Sequence, residues 1–419
     1  MDHAPHLLLQ LAVILGTARV LALLLARFGQ PPVVGEMIAG LLLGPLAFAA
    51  LAPDLQAAIF PRDGLAALEG LSQVGIVLFM LIVGAELRAP DGIGERVVAG
   101  GWVGALGVLL PAALGLAIAP MLHAGFAPDG IAFWPFALFI SVAMAITAFP
   151  VMARILKERA MTRSAPGQLS LAAAAVTDVL AWLMLAVVVA VAGAHGVATN
   201  LVGVLAGLAA VAAVGFGLLR PLIARVLARH AADGRPGGAV LSLLLILTCA
   251  MAAATDRLGL HPVFGAFLFG ACLPRDDRLL DTLIERVEHV AVLVLMPVFF
   301  ALAGLGTSPA AFHAAGLSAL LLVLAAAVSG KVLGAGAGAR IAGLGWRDSA
   351  AVGALMNTRG LMELIVLKVG LDAGLIGPEL FTLLLVMTIL TTLMTAPLVD
   401  LCRRGAPALA GVGQPRRQR

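Results

Sequence analysis

Residues 141–154 read SVAMAITAFPVMAR and interrupt an apolar stretch with a threonine and a proline. Pro150 has no backbone N–H for the carbonyl of Ile146, and its ring would collide with that carbonyl in a regular helix. Within a membrane, a carbonyl freed in this way is tolerated where a cavity or an ion satisfies it, and Thr147 adds a hydroxyl at the same level. The stretch therefore predicts a helix broken in its middle. An ordinary proline kink is the alternative interpretation.

A second interrupted stretch, residues 356–363, reads MNTRGLME. The polar, charged or flexible residues inside this otherwise apolar run are Asn357, Thr358, Arg359, Gly360 and Glu363. Arg359 and Glu363 are four residues apart, a spacing at which opposite charges on one helix can pair. A helix broken at 358–360 would expose half-helix ends whose dipoles these two charges offset. A purely structural ion pair is the alternative.

Both stretches belong to a chain with the composition of a helical membrane protein. Of its 419 residues, 61% are hydrophobic and 12% are charged, which is more apolar surface than a water-soluble fold can bury. Apolar runs of about 20 residues recur, each long enough to cross the membrane as a helix, and they lack the alternation of barrel strands. Scattered cysteines (Cys249, Cys272 and Cys402) favour neither a disulfide framework nor a zinc site. The sequence therefore predicts an all-α polytopic membrane protein.

Thirteen transmembrane helices are predicted, separated by Pro and Gly clusters or by short charged stretches. Their approximate ranges are 7–26, 33–51, 66–87, 97–119, 131–157, 167–192, 198–230, 238–256, 260–273, 287–306, 314–340, 347–369 and 377–401. The first apolar run has no basic region or cleavage site ahead of it. It is therefore interpreted as a permanent helix and not as a signal peptide.

The distribution of basic residues supports this count, because cytoplasmic loops carry an excess of Lys and Arg. Of the 27 Lys and Arg residues, all but six fall in connections after odd-numbered helices or in the C-terminal tail. The exceptions are Arg62, Arg257 and Lys368 on the opposite side, and Arg19, Lys331 and Arg359 inside predicted spans. This predicts a multi-pass protein of the inner (plasma) membrane, with the N-terminus outside and the C-terminus cytoplasmic. The basic loops lie beside anionic membrane lipid, and no nucleic-acid partner is expected.

The two interrupted helices, numbers 5 and 12, take matching places in the chain. Dividing it into 7–192, a linking helix 198–230 and 238–401 puts each of them fifth in its half, with 402–419 as a short cytoplasmic tail. A single linking helix between two halves of six helices makes the second half start on the opposite side of the membrane from the first. The order of helices therefore predicts one transmembrane domain, residues 1–401, that consists of two inverted repeats with crossed discontinuous helices. Transporters of this kind bind their substrate at the crossing.

Asp178 and Lys331 are isolated charges in predicted helices 6 and 11, and both flank this crossing. A carboxylate within hydrocarbon costs roughly 2–3 kcal/mol or more and usually lines a water-filled cavity. There it can release a proton to one side and accept a monovalent cation, which is the minimal chemistry of cation/proton exchange. The alternative is a buried Asp satisfied by the hydroxyls of Thr177 or Thr147. Lys331 is expected either to pair with a carboxylate or to bridge helices.

Five stretches, in this order, resemble the membrane domain of the cation:proton antiporter-2 family, above all its plant-type cation/H⁺ exchanger branch and bacterial relatives. They are 30–45 (QPPVVGEMIAGLLLGP), 83–87 (VGAEL), 146–156 (ITAFPVMARIL), 173–182 (AAAVTDVLAW) and 356–366 (MNTRGLMELIV). The resemblance covers essentially all thirteen predicted helices. It implies an inverted-repeat Na⁺/H⁺ antiporter-like fold, a homodimer and elevator-like alternating access.

By this resemblance, Asp178 carries the proton and the monovalent metal cation, Thr147 lies in the crossing, and Lys331 is its basic partner. Many electrogenic members have an Asp-Asp pair, whereas here Thr177 precedes Asp178 in the proposed cation- and proton-binding site. A single carboxylate implies electroneutral exchange of Na⁺ or K⁺ for H⁺. It also leaves Lys331 without the first Asp as a partner. Glu36 and Glu86 match family motifs at predicted helix ends, where capping and ion handling are both open.

Other functions fit the sequence less well. An exporter or sensor that uses the same fold for a small organic ion is the main alternative, and the few aromatic residues (17 Phe, 4 Trp, no Tyr) argue mildly against it. A channel is disfavoured because no repeated filter loop is evident. An enzyme is not expected, since H-E-x-x-H and G-x-S-x-G motifs are absent from the sequence. No cofactor is expected apart from the transported ions.

Overall fold

The computed structural model describes residues 4–61, 64–86, 95–159, 161–162, 164–192, 201–230, 236–274 and 276–403. Over these residues the chain is built from helices and contains no β-strand. In chain order the α-helices are α1 Ala4–Ala26, α2 Pro32–Leu43, α3 Phe48–Leu51, α4 Pro53–Ile59, α5 Ala66–Glu86, α6 Glu95–Phe126, α7 Phe133–Ala145, α8 Phe149–Glu158, α9 Ala165–Ala192, α10 Leu201–Ala213, α11 Arg220–His230, α12 Gly238–Arg257, α13 Val263–Cys272, α14 Asp277–Leu283, α15 Met296–Leu305, α16 Ala314–Ile341, α17 Trp346–Met356, α18 Leu361–Asp372 and α19 Pro378–Arg403. The π-helical stretches Val214–Leu219, Ile284–Glu288 and Ala291–Leu295 and the 3₁₀ turn Pro309–Phe312 complete the described helices.

Eleven helical segments in the described part of the chain are long and apolar enough to cross a membrane. Helices α17 and α18 form a further candidate span that bends by 43° at a short break. Helix α13 is apolar but has ten residues, which is about half the length of a full span. The predicted all-α membrane class is therefore confirmed. The count of thirteen stays a prediction, because its ninth helix, 260–273, corresponds to this short one.

The structure moves some predicted boundaries. The helix predicted at 287–306 begins ten residues earlier, because α14 continues through two π-helical stretches into α15 as one segment, Asp277–Leu305. Arg278 and Arg286, which the sequence assigned to a connection, are exposed side chains at its polar start. The fourth predicted helix, 97–119, extends to Phe126. Some predicted loop and tail residues lie outside the described chain, namely Arg62, Arg88, Arg163, Arg235, Arg275 and 404–419.

The helices pack as two groups. In the first, α6 contacts α7, α9 and α16, while α17 contacts α9, α16 and α19. We call α6–α9 with α16–α19 the core bundle. In the second, α2 contacts α1 and α15, while α5 contacts α13 and α15, and α12 contacts α13. We call α1, α2, α5 and α12–α15 the flanking bundle. Both interrupted helices belong to the core bundle.

Close backbone contacts at glycines hold the flanking bundle together. A Cβ atom added at Gly304 in α15 would overlap the main-chain carbonyl oxygen of Gly40 in α2. One added at Gly270 in α13 would overlap the carbonyl oxygen of Leu81 in α5. Glycine lets two membrane helices approach this closely because it has no side chain. These contacts join α15 to α2 and α13 to α5, and α2, α5 and α15 contribute residues to one wall of the cavity described below.

Candidate functional site

The first interrupted helix breaks between α7 and α8. Ile146 (φ −70°, ψ 144°) and Ala148 (φ −90°, ψ 92°) have extended backbone between the two half-helices. Pro150 lies in the first turn of α8, where a missing N–H is harmless because that group has no partner within the helix. The interruption therefore comes before the proline. Pro150 lies in the first turn of the second half-helix, which begins at Phe149, and the structure does not show the alternative of a kink in a continuous helix.

The second interrupted helix breaks at residues 357–360 and lies against the first break. The N–H of Ala148 donates to the carbonyl of Thr358 at 3.0 Å, and the hydroxyl of Thr147 donates to the carbonyl of Met356 at 3.3 Å. Backbone groups that lose their intrahelical hydrogen-bond partner at one break are thus satisfied by residues of the other break. This mutual pairing makes the two breaks a single crossing.

The other residues of the second break contact neighbouring helices or satisfy the end of α17. Asn357 Nδ2 donates to the carbonyl of Thr391 in α19 at 3.2 Å. The hydroxyl of Thr358 donates to its own helix end, at the carbonyl of Leu355 (2.7 Å). A Cβ atom at Gly360 would lie 2.9 Å from Cγ2 of Val151 in α8, so glycine allows the breaks to meet.

Lys331 is fully buried and caps the end of α7. Its Nζ donates to the carbonyls of Gly107 and Ala145 and to the hydroxyl of Thr147 (2.7 Å). An ammonium group has three N–H donors, so all of them are used. Of the two expected roles, bridging helices is the one observed, and no carboxylate of the described chain forms an ion pair with Lys331 within 4.0 Å.

Arg359 adds a second cation at the same helix end. Its Nη1 and Nη2 donate to the carbonyls of Ala143 and Met144, each at 2.8 Å. Nη1 also donates to Oε1 of Glu363 at 2.5 Å, and both side chains are fully buried. The ion pair expected from the i,i+4 spacing is therefore observed. Two cationic side chains thus offset the negative end of the α7 dipole, and Glu363 balances one of them.

Asp178 lies in the middle of α9, is 1% exposed, and has no hydrogen-bond partner on either carboxylate oxygen. The hydroxyl of Thr177 donates to the carbonyl of Ala174 at 2.9 Å, and that of Thr147 serves the crossing. The alternative in which these hydroxyls satisfy Asp178 is therefore wrong. The carboxylate faces the N–H of Phe149 at the start of α8 and the ammonium of Lys331, without a regular hydrogen bond to either.

A cavity of about 570 Å³ opens between the two bundles and reaches the crossing. Its flanking-bundle wall carries the carboxylates Glu36, Glu86 and Glu288. Its core-bundle wall carries Arg154, Lys157 and Glu158, of which Arg154 and Glu158 form an ion pair at 3.3 Å. Ala148 and Pro150, beside the first break, also line it. Asp178, Thr177 and Thr147 are not among its lining residues. Glu36 and Glu86, left open by the sequence, line this cavity.

Two groups of residues at the site were missed from the sequence. Glu288 lies at the start of the predicted helix 287–306. Like Glu36 and Glu86, it is an acidic residue at the end of an apolar helix, and this shared position is the signal that could have identified it. The other group is the run 388–395 of α19, which reads TILTTLMT and whose threonines are all fully buried. Four hydroxyls in one apolar helix are visible in a sequence, but the groups they contact are not. One of them, Thr392, contacts the backbone of Arg359.

The sequence of this chain is similar to those of ion exchangers. The family model for the transmembrane sodium/hydrogen exchanger matches residues 12–401. The Na⁺/H⁺ antiporter NhaS4 of Synechocystis is 36% identical over 398 residues, which cover 94% of this chain and 96% of that protein. Cation/H⁺ antiporter 17 of Arabidopsis thaliana is 35% identical, and K⁺/H⁺ antiporter 1 of Saccharomyces cerevisiae is 32% identical. The chain spans about half the length of these last two proteins, 48% and 46%.

The fold also matches a solved structure. The sodium proton antiporter MjNhaP1 from Methanocaldococcus jannaschii superimposes with a TM-score of 0.67, over 96% of this chain and 99% of that one. The two sequences are 17% identical, so the likeness concerns the fold alone.

Proposed function

Because the chain belongs to the sodium/hydrogen exchanger family of transmembrane proteins, we propose that it is a secondary antiporter that exchanges a monovalent cation, Na⁺ or K⁺, for H⁺. The names of the relatives, a Na⁺/H⁺, a cation/H⁺ and a K⁺/H⁺ antiporter, support this substrate class. The observation that carries the proposal is Asp178, a buried carboxylate without a partner beside a crossing of two broken helices. Such a carboxylate can hold a proton or a cation in turn.

The proposed ion site consists of Asp178 with the hydroxyl oxygen of Thr177. The hydroxyl oxygen of Thr147, which the sequence places in the same site, accepts a hydrogen bond from Lys331. Free carbonyls at the end of a half-helix are a common cation site in such transporters. Here Lys331 and Arg359 already occupy the carbonyls that end α7. The transported cation is therefore directed to the carboxylate of Asp178 and away from the helix end. With one carboxylate at the site, exchange is electroneutral, one cation for one proton.

Movement of the core bundle against the flanking bundle is the proposed route of alternating access. It is supported by the cavity, which lies between the bundles, and by the crossing, which belongs wholly to the core bundle. The halves 7–192 and 238–401 form the inverted repeats in this proposal, and two copies of the chain form a homodimer. The basic loops support placement in the inner membrane, with the N-terminus outside and the C-terminus in the cytoplasm.

Cation-induced dequenching of a pH-sensitive dye in proteoliposomes tests the proposal. The wild type is expected to respond to Na⁺, K⁺ or Li⁺, and Asp178→Asn is expected to fall to the background of empty vesicles, because an amide cannot exchange a proton for a cation. Asp372→Asn, which alters an exposed surface carboxylate, is the matched control and keeps the wild-type response.

The elution volume and thermal midpoint of each purified variant establish that it is folded. A folded Asp178→Asn protein that exchanges at the wild-type rate would remove Asp178 from its role. A wild type that ignores all three cations would overturn the cation/proton assignment and favour the small organic ion.

A further inference from the structure

Thr392 of α19 forms hydrogen bonds with both backbone groups of one residue in the second break. The N–H of Arg359 donates to the hydroxyl oxygen of Thr392 at 3.1 Å, and this hydroxyl donates to the carbonyl of Arg359 at 2.7 Å. The carbonyl of Thr388 in the same helix lies 2.9 Å from the hydroxyl and shares its hydrogen. Thr392, Arg359 and Thr388 are all fully buried.

These contacts matter because Arg359 lies between two half-helices, where the regular helical hydrogen bonds are interrupted. A backbone N–H or C=O inside a membrane must find a partner within the protein. A hydroxyl group is both donor and acceptor, so one threonine can satisfy the two groups. Valine has nearly the same shape and would leave both of them unsatisfied.

The backbone of Arg359 in turn determines where its side chain lies. The guanidinium is held by the carbonyls of Ala143 and Met144 at the end of α7 and by Glu363. We propose that Thr392 is a positioning residue for ion exchange. By fixing the backbone of Arg359, it keeps the guanidinium on the end of α7 and so maintains the crossing beside Asp178. This inference rests on the function proposed above.

Transport kinetics of three variants test it in proteoliposomes. Thr392→Val is expected to raise the apparent KM for the transported cation about tenfold or more, because two buried backbone groups lose their hydrogen-bond partner. Thr392→Ser keeps the hydroxyl and is expected to restore the wild-type KM, while Thr392→Cys, with its weaker thiol, lies between them. A merely structural role would lower the amount of folded protein, and hence the maximal rate, without moving the KM.

Thr248→Val is the matched control. Thr248 is equally buried in α12 of the flanking bundle, and its hydroxyl donates within its own helix to the carbonyl of Leu244 at 2.7 Å. This variant is expected to keep the wild-type KM. If Thr392→Val does not fold, the comparison of the Cys and Ser variants decides the same question.

Hydrogen–deuterium exchange of residues 357–363 gives a readout that does not depend on transport. Exchange in this segment is expected to be about tenfold faster in Thr392→Val or Thr392→Cys than in the wild type, and unchanged in Thr248→Val. Unchanged exchange and KM in the Thr392 variants, or a Ser variant that behaves like Val, would overturn the inference. A wild type that does not exchange cations for protons would overturn the proposed function. The rate of hydrogen–deuterium exchange in residues 357–363 would still decide the role of Thr392.

Discussion

Replacing Gln30 by leucine is expected to destabilise the protein, because it removes the donor for a carbonyl in a distant helix. Pro397 lies inside α19 and has no N–H for the carbonyl of Leu393, four residues earlier. Nε2 of Gln30, just before α2, donates to that carbonyl at 3.2 Å. Gln30 is 8% exposed, and leucine has a similar volume without the amide. The hydrogen bond also links the flanking bundle to the core bundle.

The size of the effect follows from this geometry. Leaving a buried carbonyl unsatisfied costs about 1–3 kcal/mol. Leu393 is partly exposed and the hydrogen bond is rather long, so the lower part of that range, about 1–2 kcal/mol, is expected for Gln30→Leu. Pro397→Ala supplies the missing N–H within α19. In that background Gln30→Leu is expected to cost close to nothing, which gives a coupling of about 1–2 kcal/mol between residues 30 and 397.

Thermal unfolding of the four proteins in detergent, followed by loss of the folded elution peak, measures this coupling. Gln10→Leu is the control, since Gln10 is also buried and its Nε2 donates to the carbonyl of Ile59 at 2.9 Å, away from Pro397. Its effect is expected to be the same with proline or alanine at position 397. A Gln30→Leu shift of equal size in both backgrounds would refute the reasoning, because the glutamine would then stabilise the protein by another contact.

Two further substitutions test the packing and the charges of the bundles. Gly304→Ala is expected to lower the free energy of unfolding by about 1–3 kcal/mol, because its Cβ would overlap a backbone carbonyl of α2. Gly16→Ala, which has open space around it, is expected to be neutral or stabilising. Thermal unfolding of both variants in detergent compares them. Glu363→Gln leaves Arg359 buried without its counter-ion and is expected to cost about 3–5 kcal/mol. Asp372→Asn, at an exposed i,i+4 pair, is expected to cost less than about 1 kcal/mol, and equal midpoints for these two variants would contradict this account.

The features that the sequence predicts best are those that one residue or a short run determines. The length of the apolar runs gives the helical membrane class, because the thickness of hydrocarbon fixes the length of a span. Both interruptions are visible as Pro150 and as the run 356–363, and Asp178 is visible as an isolated charge. The exact position of the first break is harder to predict from the sequence. Proline shows that a regular helix cannot pass, but it is tolerated in a first turn, so the chain breaks at Ile146–Ala148 and not at the proline.

Hydrogen-bond partners that lie far apart in the sequence could not be predicted. The contacts of Lys331 illustrate this, because two of its three acceptors are main-chain carbonyls, which every residue has and which leave no sequence pattern. Pairing with a carboxylate was the other role predicted for Lys331, and the contact of α16 with α6 and α7 determines which acceptors are in reach. The polar start of the helix at Asp277 was missed for a related reason. Its exposed Arg278 and Arg286 resemble a loop when hydropathy is the criterion, although they lie at the beginning of one long segment.

The same partners support the proposal that Asp178, and not Glu363, is the carrier. Asp178 and Glu363 are the two fully buried carboxyl residues in the described part of the chain. Glu363 accepts from Arg359, so a cation bound there would have to displace a guanidinium that also holds the end of α7. Asp178 has no such partner, because the three donors of Lys331 are spent on two carbonyls and the hydroxyl of Thr147. In the proposed function, a mobile cation or proton therefore binds at Asp178, while Glu363 keeps the crossing in place.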